Sequence, residues 1–198
     1  FNAMVPGTIA ILLVLVPAML TALGVVREKE LGSITNLYVT PITRLEFLLG
    51  KQLPYVIISM IGFFGLLALS VTLFGVPFKG SLAAITLGAL LYVTATSGLG
   101  LLMSTFTRSQ VAAIFGTAIA TMTPAFSFCG LNSSVSALEG GAAVFSKIYP
   151  TTHFLVISQG TFSKALGFTD LSDRFVAMAI FILAIIAICA LLLPKQEK

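Results

Sequence analysis

Long apolar runs alternate with short polar interruptions along this chain. Reading between charged residues gives charge-free runs at 5–26, 52–78, 80–107, 109–138 and 175–194. A helix crossing lipid hydrocarbon needs about 20 apolar residues at roughly 1.5 Å each, and each run is long enough. Backbone groups in lipid must bond to one another, so spans are helices or strands of a closed barrel. Barrel strands alternate apolar and polar over about ten residues, whereas 9–16 and 175–193 are apolar on every side. The pattern therefore predicts an all-α integral membrane protein. Its five transmembrane helices are placed near 5–26, 52–74, 82–106, 109–128 and 174–194, with short helices on the outer face.

The longest ordered interruption is an island at 27–51. It holds seven of the eighteen charged residues: Arg27, Glu28, Lys29, Glu30, Arg44, Glu46 and Lys51. Leu31, Ile34 and Leu37 recur at helical spacing with polar residues between, the mark of a short amphipathic helix. It stops before Thr40-Pro41, because a residue preceding proline disfavours the helical region. Thr43 to Glu46 forms a capping box, in which threonine and glutamate satisfy each other's backbone donors and start a new helix. The island thus predicts a helix–break–helix hairpin at the membrane surface. On pattern alone, a hairpin that docks a soluble partner and a plain interfacial helix both remain open.

Pro17 and Pro54 fall inside the first two spans and predict kinks. The third span carries Thr94, Thr96 and Ser97. In the fourth, Ala112, Gly116 and Ala120 lie four apart with Ala113, Thr117 and Thr121 beside them. That spacing permits close helix approach, within the chain, between subunits or along a pathway wall. Threonines also bond back to their own helix, so the hydroxyls fit packing as well as a pathway. Segment 131–171 is too long for a turn and too apolar for a solvated domain. It reads as an outer segment lying on or dipping into the membrane.

Composition agrees with lipid: 58% of the 198 residues are hydrophobic and 9% charged, against about 25% charged in soluble domains. The net charge of +4 follows from loop placement and needs no nucleic-acid partner. Arg27, Lys29, Arg44, Lys51, Arg108, Lys195 and Lys198 fall on one side, while Lys79, Lys147, Lys164 and Arg174 fall on the other. Cations gather on the cytoplasmic side, which places the C-terminus inside. An N-terminus outside without a signal peptide leads to the expectation of a span upstream of Phe1. Cys129 and Cys189 read as apolar packing residues. His153, the single histidine, reads as a hydrogen-bonding residue, and Asn132 opens a formal glycosylation sequon.

No Asp, Glu, Lys, Arg or His falls within the five charge-free runs; only Arg174 touches the edge of the last predicted span. Proton relays and voltage sensors place ionisable groups at membrane depth. Intramembrane hydrolases need a nucleophile with a base or a metal set, so carriers and enzymes of these kinds are disfavoured and no metal site is expected. No phosphate-binding Gly-x-x-x-x-Gly-Lys-[Ser/Thr] loop occurs. Energy for work must enter from another domain, and the island is where it would enter.

The stretch from Val26 through Arg27-Glu28-Lys29-Glu30-Leu31-Gly32, then Thr40-Pro41, Arg44 and Gly50-Lys51 up to Pro54, resembles the signature loop of permeases of the ABC type-2 exporter class. Arg108-Ser109-Gln110 and Tyr149-Pro150-Thr151-Thr152 look like later features of that class. The resemblance extends over essentially the whole chain. It implies a six-helix half-transporter that pairs with a second permease half, and a cytoplasmic ATP-binding-cassette ATPase that docks on the island and carries ATP and magnesium. It implies that Arg27, Glu28, Lys29 and Glu30 face the ATPase, that Leu31, Ile34 and Leu37 hold the coupling helix to the membrane part, and that Gly32 is a close-packing site. The chain itself would bind no cofactor and catalyse nothing. The expected location is the bacterial inner membrane. The sequence is also similar to the C-terminal portion of ATPase-fused proteins such as the ribosome-associated ATPase, so a membrane anchor for a cytoplasmic ATPase is the alternative expectation.

Overall fold

The computed structural model describes residues 4–32, 44–76, 78–128, 141–163 and 166–192. Among them the regular structure is seven α-helices and no strand. These are α1 (Met4–Glu30), α2 (Arg44–Thr72), α3 (Leu82–Phe106), α4 (Gln110–Phe128), α5 (Gly141–Ile148), α6 (Pro150–Ser163) and α7 (Ser172–Leu192). By length and composition α1, α2, α3 and α7 can cross a membrane. The predicted fourth span corresponds to α4, whose 19 residues are not among those four. The short helices expected in 131–171 are α5 and α6, while 131–140 and the 33–43 part of the hairpin lie outside the described residues.

The first two helices differ from their predicted bounds. α1 runs one turn past Val26, so Arg27 to Glu30 continue the first span and do not open a separate helix. α2 is described from Arg44 and runs without a break through Gly50, Lys51 and Pro54, while Thr43 of the expected capping box lies outside the described residues. The reason is the same in both places. A helix already satisfying its backbone gains by continuing into the interface, and charged side chains there reach water.

α1 and α3 are the paired centre of the bundle, with α2 and α7 packed outside. In the most apolar stretches of α1 and α3, 56% of residues are buried, against 22% in α2 and α7. The centre is close because Gly100 has no side chain: a Cβ there would stand 2.2 Å from the Ala18 carbonyl oxygen. The seam also repairs its own proline. Pro17 lacks the N–H that would bond the carbonyl four residues earlier, which belongs to Leu13. The Thr96 hydroxyl of α3 lies 3.2 Å from that Leu13 oxygen and 3.1 Å from the Val93 oxygen, and donates between them. One turn away, the Thr21 hydroxyl donates to the Pro17 carbonyl at 2.7 Å.

Nearer the other end, Tyr92 of α3 donates its phenol proton to the Ala10 carbonyl at 2.8 Å. That proton is then used, so the Thr151 hydroxyl, 2.9 Å away, donates to the phenol oxygen. The Tyr92 ring stacks on Phe154 with centroids 4.4 Å apart and planes 4° from parallel. α6 is accordingly buried along most of its length, with Phe154, Ile157 and Phe162 in the main core.

The seam predicts a specific coupling. Thr96→Val should lower thermal stability in detergent by about 1 kcal/mol. In a Pro17→Ala background, where Leu13 regains a helical partner, the same change should cost measurably less. Equal costs in both backgrounds would show that Thr96 is not answering the proline.

Candidate functional site at the charged helix ends

Up-and-down connectivity brings the end of α1, the start of α2, the end of α3 and the start of α4 to one end of the bundle. The last turn of α1 touches all three neighbours there. Glu28 forms an ion pair with Lys51 of α2. Lys29 donates to the Ser104 carbonyl of α3. Glu30 accepts the Gln110 backbone N–H of α4 at 2.8 Å on one oxygen and the Gln110 side-chain amide on the other.

The alternating signs have a physical reading. The last four carbonyls of a helix lack intrahelical donors and carry partial negative charge, while the first N–H groups lack acceptors and carry partial positive charge. Ser104 belongs to the end of α3 and receives a lysine; Gln110 begins α4 and receives a glutamate. Charges of opposite sign at consecutive positions thus serve the two sides of one elbow.

The remaining island residues divide. Arg27, Leu31 and Gly32 are exposed. Gly32 has a φ of 70° and its N–H bonds the Lys29 carbonyl at 3.2 Å, the left-handed residue that ends a helix. Among the described residues nothing lies within 4 Å of where its Cβ would stand. Ile34, Leu37, Thr40 and Pro41 lie outside the described residues. Arg44 and Glu46 occupy the first turn of α2, where an acidic residue complements the helix dipole.

The hydroxyl cluster of α3 is committed to the protein. Thr94 donates to Leu90 at 2.7 Å, Thr96 bonds as described, and Ser97 donates to the Thr94 carbonyl at 3.0 Å. Gln52 of α2, which the sequence reading did not single out, is 2% exposed. Its amide donates to the Thr94 carbonyl at 2.6 Å and the Ser97 hydroxyl at 2.7 Å. Lys51 and Gln52 therefore pin α2 to α1 and to α3 respectively. A polar residue on an apolar run was the available signal for Gln52 and Tyr92; their partners, about 40 and 80 residues away, left none.

On α4 the two small-residue rows separate. Ala113, Thr117 and Thr121 are buried, with Ala113 against Ala22 and Val26 of α1. Ala112 and Ala120 are exposed and Gly116 is half-buried. Among the described residues no group of three His, Cys, Asp or Glu is placed to hold a metal. At the opposite end an apolar cavity of about 250 Å³ opens between α1 and α2, walled by Ile9, Leu12, Leu66 and Phe74.

A match to the family described as ABC-2 family transporter protein extends over residues 1–194. The chain belongs to the ABC-2 transporter family. It is 33% identical over 158 residues to the probable multidrug ABC transporter permease YbhS of Escherichia coli strain K12, covering 80% of this chain and 42% of that protein. It is 30% identical over 160 residues to the probable multidrug ABC transporter permease YbhR of the same strain, 81% and 43%. The inner membrane transport permease YhhJ is 26% identical over 178 residues, 87% and 46%. The chain spans less than half the length of these curated relatives. No solved structure matches it. As an ABC-2 family member with four helices able to span, the protein is integral to the membrane.

Two predictions follow from the polar contacts. The side chains of Glu28 and Lys51 are 32% and 30% exposed, a setting in which ion pairs are worth up to about 1 kcal/mol. Glu28→Lys should lower the melting temperature and adding Lys51→Glu should restore most of the loss; a double reversal no better than the single would remove the pair from the account.

At the opposite end, His153 Nε2 bonds the Lys147 carbonyl at 2.8 Å, so Nε2 carries the proton, and Nδ1 accepts from Arg174 at 3.4 Å. That arrangement requires neutral imidazole. Burial pushes the His153 pKa below the ordinary 6.5; the Lys147 carbonyl opposes this and the Arg174 charge adds to it. The unfolded chain then binds the proton more readily, so stability falls as pH drops through 6.5 towards the lowered native value. Between about pH 8 and pH 5 the melting temperature should fall more steeply than in His153→Asn, and parallel curves would contradict this.

Proposed function

We propose that this chain is the transmembrane part of an ATP-driven exporter of apolar or amphipathic compounds in a bacterial inner membrane. The observation that carries the reading is the family match over nearly the whole chain, together with the convergence of its charged residues at one end of an otherwise apolar bundle. In this reading α4 is a fifth span. The charged ends of α1 to α4 and the 33–43 hairpin face the cytoplasm, the C-terminus lies on that side, and a fused or separate ATP-binding-cassette ATPase docks there. ATP and magnesium belong to the ATPase. The interiors of the spans carry no Asp, Glu, Lys, Arg or His, which suits a pathway for apolar cargo and leaves proton coupling without a relay.

In this reading, exposure selects the residues proposed to meet the ATPase. Glu28, Lys29 and Glu30 are turned to partners within the chain. Exposed Arg27, Leu31 and Gly32, continuing into the hairpin with Ile34, Thr40 and Pro41, are the docking surface. The outward row Ala112, Gly116 and Ala120 on α4, flanked by exposed Phe115 and Ile119, supports a second permease half against α4.

The full-length protein, purified from membranes together with its ATPase, tests this. Inverted vesicles should take up ethidium only with ATP, and Leu31→Asp with Ile34→Asp should release the ATPase while the permease still elutes as a single species. An ATPase that stays bound to the double variant, or ethidium movement indifferent to ATP, would overturn the reading.

A further inference from the structure

The end of the bundle opposite the charged helix ends carries a second group of cations. We propose that Arg174 and Lys147 form a binding site for the phosphate headgroup of an acidic phospholipid, with His153 as the positioning residue between them. The proposal needs a bilayer around the bundle and does not depend on export.

Contacts to α3 set the depth of this group. α6 ends beside the start of α3, where a Cβ at Gly80 would stand 2.6 Å from the Thr161 carbonyl oxygen. It begins much further in, where Thr151 meets Tyr92, about 15 Å along α3 from Leu82. α7 comes in at an intermediate level. Its Phe175 ring lies 3.5 Å from where a Cβ at Gly88 would stand, about 9 Å along α3. His153 and Arg174 adjoin these two contacts in sequence and meet each other. A hydrocarbon core of about 30 Å within some 40–45 Å of bilayer puts such a pair near the inner edge of the headgroup layer.

A cation at that depth is costly unless it is paired. Arg174 is half-buried and carries five N–H donors in a fixed fork. One of them meets His153 Nδ1 at 3.4 Å. His153 Nε2 donates to the Lys147 carbonyl at 2.8 Å, so a neutral imidazole ties the guanidinium to the Lys147 backbone without supplying a negative charge. Among the described residues neither cation is in an ion pair; the Glu28–Lys51 pair stands alone. Asp170 accepts the Gly167 N–H at 3.1 Å, Asp173 is exposed, and Glu139 lies outside the described residues. An arginine fork matches two phosphate oxygens and a lysine adds a compact charge. The side chains of Val144, Phe145 and Ile148 around Lys147 are exposed. Acyl chains would cover that apolar surface, and a free phosphate would leave it bare.

The test uses the purified full-length protein in detergent. Phosphatidylglycerol should raise its melting temperature by about 3 °C or more, and native mass spectra should show that lipid retained. Phosphatidylcholine and inorganic phosphate should do much less. Lys147→Gln with Arg174→Gln should abolish the preference for phosphatidylglycerol. Lys147→Gln alone, at an exposed position, should weaken it and serves if the double variant does not fold. His153→Gln keeps a donor and an acceptor and should retain the preference, whereas His153→Leu should lose it. Equal shifts with both lipids, an equal shift with inorganic phosphate, or a preference that survives in the Lys147 and Arg174 variants would overturn the lipid site. A preference that grows several-fold in Glu139→Gln would make Glu139 the counter-ion and overturn it too. A preference unchanged in His153→Leu would overturn the positioning role.

Discussion

A carbonyl without a partner has no water to turn to inside a bilayer. The α1–α3 seam is organised around that constraint. Pro17 strips one amide from α1, and the helix persists because Thr96 stands opposite Leu13. Close approach at Gly100 makes the reach possible. Tyr92 extends the same seam to Ala10 and, through Thr151, to α6. The other helices pack around this pair, so the polar side chains in the membrane are chiefly answers to backbone demands.

The same rule operates at the ends of the helices, where the demands are electrostatic as well. Helix termini leave N–H and C=O groups open, and the final turn of α1 supplies a lysine to one and a glutamate to the other. Glu28, Lys29 and Glu30 thus work first as a fastening between helices. Leu31 and Gly32, just beyond it, are exposed.

The helical spans were legible because a period-free apolar run of such length has one solution in lipid. The length of α1 was not: charged residues look like the end of a span, although long side chains let a helix carry them into the interface. Gly32 was read through family resemblance as a packing site; its positive φ also suits the end of α1. In α4 both small-residue rows have the same spacing, so pattern could not say which one meets α1. The partners of Gln52, Tyr92 and Lys29 depend on which helices become neighbours, and local sequence does not encode that.

The coupling account requires the charged helix ends to face the compartment that holds ATP. Single cysteines at Leu31, on the charged end, and at Phe168, just before α7, test this most directly. Both positions are exposed, and each would be placed in the full-length protein lacking Cys129 and Cys189. With a membrane-impermeant maleimide on spheroplasts, Phe168→Cys should label at once and Leu31→Cys only after the membrane is permeabilised. Labelling of Leu31→Cys from outside in intact spheroplasts would contradict the account.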